Sequence, residues 1–292
     1  MLQPAVSSRR IILALCVVSA LACGGRTTAP TTGVTPERPE STAVANVPHW
    51  EPHRTPGTWR YLASSSTVVS LESDTLAKQL PVQSSAIYRI TATGTTPPFA
   101  IQGTVDSVTV ITSGKPSSPG AAKHPYATFT STLSPEGSIG TIEGSEPPRC
   151  PKGVDPLVAG VRTLFIAMPP TIARGATWQD TVTAVTCRGD VPIVATTAYR
   201  YTLVGDTVWQ GKPALHITRG SEMTVGNDST IAGQPTFEIS GTGTGTADLL
   251  VDPATGTLLQ QAGRSTARLV IGTARSRVPF RQEVTDTVQI RP

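Results

Sequence analysis

The chain has 292 residues, a formal net charge of +4, only 15% charged side chains, and 26 each of glycine and proline. No basic cluster is interleaved with aromatics, which argues against a nucleic-acid partner. The length suffices for one all-β domain with a sizeable core, and no apolar run downstream of the first 23 residues is long enough to span a bilayer.

The chain opens MLQPAVSSRRIILALCVVSALAC. Arg9 and Arg10 form a positive n-region, Ile11 to about Val18 a short apolar run, and small residues lead to Cys23. This is the pattern of a secretory leader covering residues 1–22. Ala20-Leu21-Ala22-Cys23 resembles the lipobox of bacterial lipoproteins, with Ala20 where that family usually carries Leu. The resemblance implies cleavage before Cys23, acylation of its sulfur and amino group, and a mature protein held on the membrane by lipid. Several acyl chains hold firmly, at ~0.8 kcal/mol per buried methylene, so no membrane helix is needed. Gly24 follows the cysteine where Asp would imply inner-membrane retention, so the resemblance implies the outer membrane, facing the periplasm or the cell surface. Arg9 and Arg10 leave with the leader, which halves the formal charge.

Residues 24–57 are rich in Pro, Thr and Gly and show no apolar periodicity. Such a segment buries too little apolar surface to offset its ordering entropy, and with Cys23 it reads as a lipidated tether. Within it, His49 and His53 flank Glu51 in HWEPH, but Pro52 interrupts any helix that would align the imidazoles, so a solvated linker is expected rather than a metal site. Cys16 leaves with the leader and Cys23 is the lipid site. Cys150 and Cys187 remain, an even pair in an oxidising compartment, and a disulfide is expected. Its loop-closure contribution is roughly 4 kcal/mol. Neither cysteine has a second Cys or a His at ligand spacing, and no metal or cofactor is expected.

From residue 58 to 292 the chain reads as a single β-rich domain in which Thr and Val dominate and Gly and Pro punctuate. Strands are predicted at 66–73, 85–93 and 100–112. In the last, Ile101, Gly103 and Val105 share one register while Val108 and Val110 fall in the other, which predicts a bulge near Asp106-Ser107. Segments 126–133 and 137–144 form a hairpin about the turn tetrad Ser134-Pro135-Glu136-Gly137. One helix stands out at 155–166. Asp155 caps it, Pro156 opens it, and Leu157, Val158, Val161, Leu164 and Phe165 make one apolar stripe, stopped by Pro169-Pro170. Further strands follow at 177–187, 192–205, 213–225, 235–252, 257–272 and 277–290. The GTW at 57–59 and ATW at 176–178, each ahead of a Tyr-Arg strand, hint at two related halves, 58–145 and 150–292. The expected fold is mainly β: a long antiparallel meander forming a curved sheet or half-barrel, with one short helix packed on it.

The search for chemistry is short. No nucleophile elbow, Walker loop, H-E-x-x-H or C-x-x-C is present. His124 has no evident partner. His216 alternates with Leu215 and Ile217 and should lie on the outward face, without a paired Asp or Ser in view. Asp180, Asp206, Asp248, Asp252 and Asp286 sit beside strand ends and turns and suggest no carboxylate pair. Arg188-Gly189-Asp190 reads as a turn, and Trp59, Trp178 and Trp209 as core or sheet-edge packing.

The stretch GTGTGTADLLVDPATG, 241–256, lacks the G-x-G-x-x-G tail and leads into a strand rather than a helix, so it is no phosphate loop. As a strand it places Gly241, Gly243 and Gly245 on one face. Bare backbone there predicts a bend, or close approach by the helix or a ligand.

Helix, Pro-Pro, an ATW strand and long strands ending in a DPATG turn resemble β-rich bacterial lipoproteins of unassigned function and, remotely, the lipoprotein-carrier half-barrels. The expectation is a membrane-anchored, non-catalytic envelope lipoprotein binding an apolar small molecule or lipid. The groove would lie between Gly241, Gly243 and Gly245 and the helix residues Leu157, Val161, Leu164 and Phe165. The alternative is an envelope interaction or structural protein that holds a protein partner on its sheet surface.

Overall fold

The computed structural model describes residues 48–72, 79–116, 126–144, 154–188, 191–227, 238–272 and 276–292. The expected leader, Cys23, most of the expected tether, His124 and Cys150 lie outside them, and with Cys150 so does the expected disulfide.

The elements follow in chain order: β1 (His49–Trp50), β2 (Gly57–Leu71), β3 (Gln79–Thr93), β4 (Phe99–Thr112), β5 (Lys115–Pro116), β6 (Ala127–Leu133) and β7 (Glu143–Gly144). Helix α1 (Pro156–Gly160) then continues as a 3-10 turn (Val161–Leu164). β8 (Ile172–Ala173), β9 (Thr177–Arg188), β10 (Val191–Trp209), β11 (Lys212–Asn227), β12 (Glu238–Val251), β13 (Leu258–Gly272) and β14 (Arg277–Arg291) complete the fold. One antiparallel sheet of 12 strands has the order β7-β6-β4-β3-β2-β14-β13-β12-β11-β10-β9, with β5 beside β4. The β14–β2 pairing joins the last strand to the first long one, so the sheet is continuous.

Local chemistry sets several of these features. Between β3 and β4 the register passes from Ile87↔Ser107 to Tyr88↔Val105, so Asp106 is the extra residue of a bulge. The bulge lets both Val105 and Val108 face the core, as the switch of register in the sequence predicts. Arg89 Nη2 and Thr104 Oγ1 donate to the Asp106 carboxylate, each at 2.7 Å. In the Ser134–Gly137 turn, Gly137 N–H donates to the Ser134 carbonyl at 3.0 Å. Asp155 accepts from Leu157 N–H at 2.8 Å, and Pro156 occupies the first helical position. The helix is shorter than predicted. Thr163 Oγ1 donates back to the Gly160 carbonyl at 2.8 Å, the turn tightens to 3-10, and Phe165 is already extended.

β2 is also longer than predicted, because pairing with β3 and β14 carries the strand through the serines 64–66, which have no apolar period of their own. The last residues of the expected tether belong to the fold. β1 pairs with β8, His53 N–H donates to the Ala254 carbonyl at 2.7 Å, and Arg54 Nη2 donates to the Ile166 carbonyl at 2.7 Å. Proline-rich sequence carries no strand signal of its own, and long-range pairing imposes the extended form.

Helix α1 touches β9 at one edge of the sheet and β6 near the other, so the sheet curves around it without its edges pairing. The helix and the segment after it are pinned from several strands. Tyr88 donates to the Leu157 carbonyl at 3.2 Å, Trp178 to Ala167 at 2.7 Å, and Arg162 to Ile139 and Gly140 at 3.2 and 2.9 Å. Trp59 meets Phe165 edge-on at 6.4 Å. Val158, Val161 and Leu164 are buried in a large apolar cluster with Tyr61, Ile90, Leu203, Ile217, Leu249 and Val251. A second, smaller cluster, including Val69, Ile193, Met223, Ile239, Leu269 and Phe280, occupies the far end of the long strands on the same face.

A polar belt on the inner face as the candidate functional site

Between the two clusters the inner face turns polar. The strand register aligns its side chains in rows. One row runs Tyr201, Arg219, Ala247, Gly263, Asp286, Ser65, Ser84. The next runs Asp180, Tyr199, Ser221, Gly245, Ser265, Val284, Thr67, Val82, Thr112. A third holds Thr197, Met223, Gly243, Ala267, Gln282 and Val69. Because strand side chains alternate, these residues share the face that carries both apolar clusters. Arg219 is 7% exposed, and Thr67, Thr197, Ser221, Gln261, Ser265 and Gln282 are buried as well.

The charged groups are arranged about Tyr199. Arg219 Cζ stands 4.8 Å from the Tyr199 ring centroid, within cation–π range. Arg219 also hydrogen-bonds the Tyr201 side chain, and Trp178 stacks on Tyr201 at 5.3 Å. Gln261 Nε2 donates to Asp286 Oδ2 at 2.6 Å. Burial pushes the Asp286 carboxyl above its ordinary range, against the opposing pull of the Gln261 hydrogen bond and Arg219. Burial likewise raises the Tyr199 hydroxyl well above its usual value and pushes Tyr201 up to about 12. Both tyrosines are therefore neutral hydrogen-bonding groups at ordinary pH.

Among the described residues, five buried side-chain oxygens have no protein hydrogen-bond partner: Tyr199 Oη, Gln261 Oε1, Thr197 Oγ1, Thr67 Oγ1 and Thr112 Oγ1. All belong to these three rows or to the adjoining row, where Gln261 pairs with Leu249. An unmet buried polar group costs about 1–3 kcal/mol, and such groups are ordinarily met by protein, ordered water or a ligand. They share the inner face of the sheet, where ordered water or a ligand would meet them.

The structure separates the groove residues expected from sequence. Leu157, Val161, Leu164 and Phe165 come together in or against the first cluster, which reaches Leu249 and Val251 of β12. Gly241, Gly243 and Gly245 face inward farther along β12, and Gly243 and Gly245 are buried. What approaches Gly241 is the neighbouring strand: a β-carbon there would overlap the Arg268 carbonyl oxygen and lie 2.6 Å from Leu269 Cδ2. The glycine therefore accommodates β13 rather than the helix. At Gly263 an added β-carbon would fall 2.7 Å from Asp286 Oδ1, so this glycine makes room for the belt carboxylate.

Other expected positions are also resolved. His216 lies on the outward face as predicted, but Asp248 is its partner, at 2.8 Å from Nε2 to Oδ1. The two come together because β11 pairs with β12, which sequence spacing does not reveal. Trp59 and Trp178 pack against the core, and Trp209 Nε1 donates to Gln260 at 2.9 Å. Sequence reading missed Arg219, Gln261, Gln282 and Asp286 as a group. Their signal was parity: Gln261 and Ser265 share a strand face with Ala267 and Leu269.

No protein-family model matches the chain, and no curated protein matches it in sequence. A solved structure, DynF from the dynemicin biosynthesis pathway of Micromonospora chersina, aligns at a TM-score of 0.22 with 9% identity, covering 93% of this chain and 96% of that one. A likeness at that score carries no argument about this chain.

Proposed function

We propose that the protein is a lipid-anchored, non-catalytic binding protein of the cell envelope, whose ligand lies against the polar belt on the inner face of its sheet. The five partnerless oxygens on one buried face are the observation that carries this reading. The envelope location rests on the leader and the lipobox-like Ala20-Leu21-Ala22-Cys23.

The ligand in this reading is polar or amphipathic rather than wholly apolar. Beside the helix, the concave face is filled by the chain's own Val158 and Val161, 1% and 0% exposed. The belt offers hydroxyl donors and acceptors, an amide oxygen and a guanidinium, flanked on both sides by apolar clusters.

A second reading, a protein that holds an envelope partner on its sheet surface, is favoured by the β10–β11 hairpin. There Val204 and Val208 are 46% and 68% exposed. Native mass spectrometry of the protein released from its own envelope separates the two. A co-purifying small molecule is expected; a co-purifying protein favours the second reading, and a bare mass counts against the belt.

A further inference from the structure

The segment that leads into the domain carries a cation, Arg54, that packs against two glycine turns. Arg54 Nη2 donates to the Ile166 carbonyl at 2.7 Å, and among the described residues the guanidinium makes no ion pair. Two turns leave room for it. A β-carbon on Gly256 would sit 3.1 Å from Arg54 Cζ, and one on Gly137 would overlap the guanidinium. Both glycines have positive φ, +66° and +91°.

Arg54 lines a cleft of about 320 Å³ together with Pro52, His53, Glu136, Met168 and Pro170. The proline positions offer no backbone N–H, which leaves the guanidinium as the strong donor. Glu136 is the acidic group in the lining; it faces water, and hydrogen bonding from its own backbone N–H and Ser134 lowers its carboxyl below the ordinary range. His53 in the lining and Tyr61 behind it, buried and protonated, are the other titratable neighbours. Burial lowers Arg54 to about 10, against the pull of Tyr61, so it stays charged at neutral pH. A cation drawn partly out of water is costly without a counter-charge, and a guanidinium fork fits a carboxylate or a phosphate in two-point geometry.

We propose that this cleft is an anion-binding site in which Arg54 receives a carboxylate or phosphate group. The anion is either a free small molecule or the headgroup of an acidic lipid, since the cleft lies on the segment that leads back toward Cys23. The proposal is independent of the belt.

The test is thermal unfolding of the mature chain with inorganic phosphate or acetate varied at constant ionic strength. Flotation of the delipidated chain with phosphatidylglycerol or phosphatidylcholine vesicles runs alongside. A saturable rise in Tm with phosphate or acetate is expected, weakened at least tenfold in Arg54→Met and less in Arg54→Lys. Binding to phosphatidylglycerol vesicles alone, lost in Arg54→Met, assigns the anion to a lipid headgroup. If Tm ignores both anions and neither vesicle binds, while Arg54→Met lowers Tm equally in every buffer, Arg54 is only a clasp and the proposal falls. Should Arg54→Met not fold, the His53 side-chain NMR signals of the wild type decide. They shift on phosphate titration if the site exists and stay fixed if it does not.

Discussion

Replacing Tyr199 by Phe removes one of the five partnerless oxygens and leaves the ring under Arg219 in place. In a protein stripped of ligand by unfolding and refolding, the Tyr199 hydroxyl is buried and unmet. Its desolvation penalty is about 1–3 kcal/mol, so Tyr199→Phe should stabilise the empty protein by up to that amount. For a domain of this size, each kcal/mol corresponds to roughly 2–4 °C in Tm. Urea unfolding followed by tryptophan fluorescence suits the measurement, because Trp178 stacks on Tyr201 beside the site. The same substitution should weaken ligand binding, by tenfold for each ~1.4 kcal/mol of hydrogen bonding lost. Greater stability with poorer binding marks a site kept at a cost in stability. A loss of more than about 1 kcal/mol in the empty protein would refute the reasoning, since it would mean that the hydroxyl already has a protein partner.

Asp286→Asn should change how stability depends on pH. The folded-state pKa of Asp286 is raised, so just above the ordinary carboxylate range the folded protein still keeps a proton that the unfolded chain has released. Stability from this group falls as pH rises through that window and stays low above it. The variant lacks the loss, while Gln261 Nε2 still has an oxygen to bond. Its stability relative to wild type should therefore grow as pH rises out of the ordinary carboxylate range and then level off, and a gap constant with pH would contradict the assignment. Leu164→Ala should cost about 2–5 kcal/mol, because Leu164 is buried in the cluster through which the sheet curves around α1. Urea denaturation checks this, and a loss below about 1 kcal/mol would mean that the helix does not anchor the curve.

Features with local chemistry were legible in the sequence. The Asp106 bulge follows from a switch of register, the Asp155-Pro156 cap from residue type, and the Asp252–Gly256 turn from its Asp and Gly. Features made by distant pairing were not. Residues 48–56 resemble a tether because prolines hide their strand, and their partners, β8, Ala254 and Ile166, are all distant in sequence. His216 and Asp248 meet through a register fixed by the whole β11–β12 ladder. The belt lay between these cases. Arg219 and Ser221 on β11, and Gln282 and Asp286 on β14, break the apolar parity of their strands. Yet which rows they share depends on how β11, β12, β13 and β14 align. The glycines of β12 marked an inward face correctly, but their neighbour at Gly241 is β13.

The belt is tested most directly by a crystal structure of the protein isolated from its native envelope, at a resolution that shows ordered water. The account predicts density for one molecule larger than water, hydrogen-bonded to at least three of Tyr199 Oη, Gln261 Oε1, Thr197 Oγ1, Thr67 Oγ1 and Thr112 Oγ1. Side chains that pair with one another, or separate waters alone at those oxygens, would contradict it.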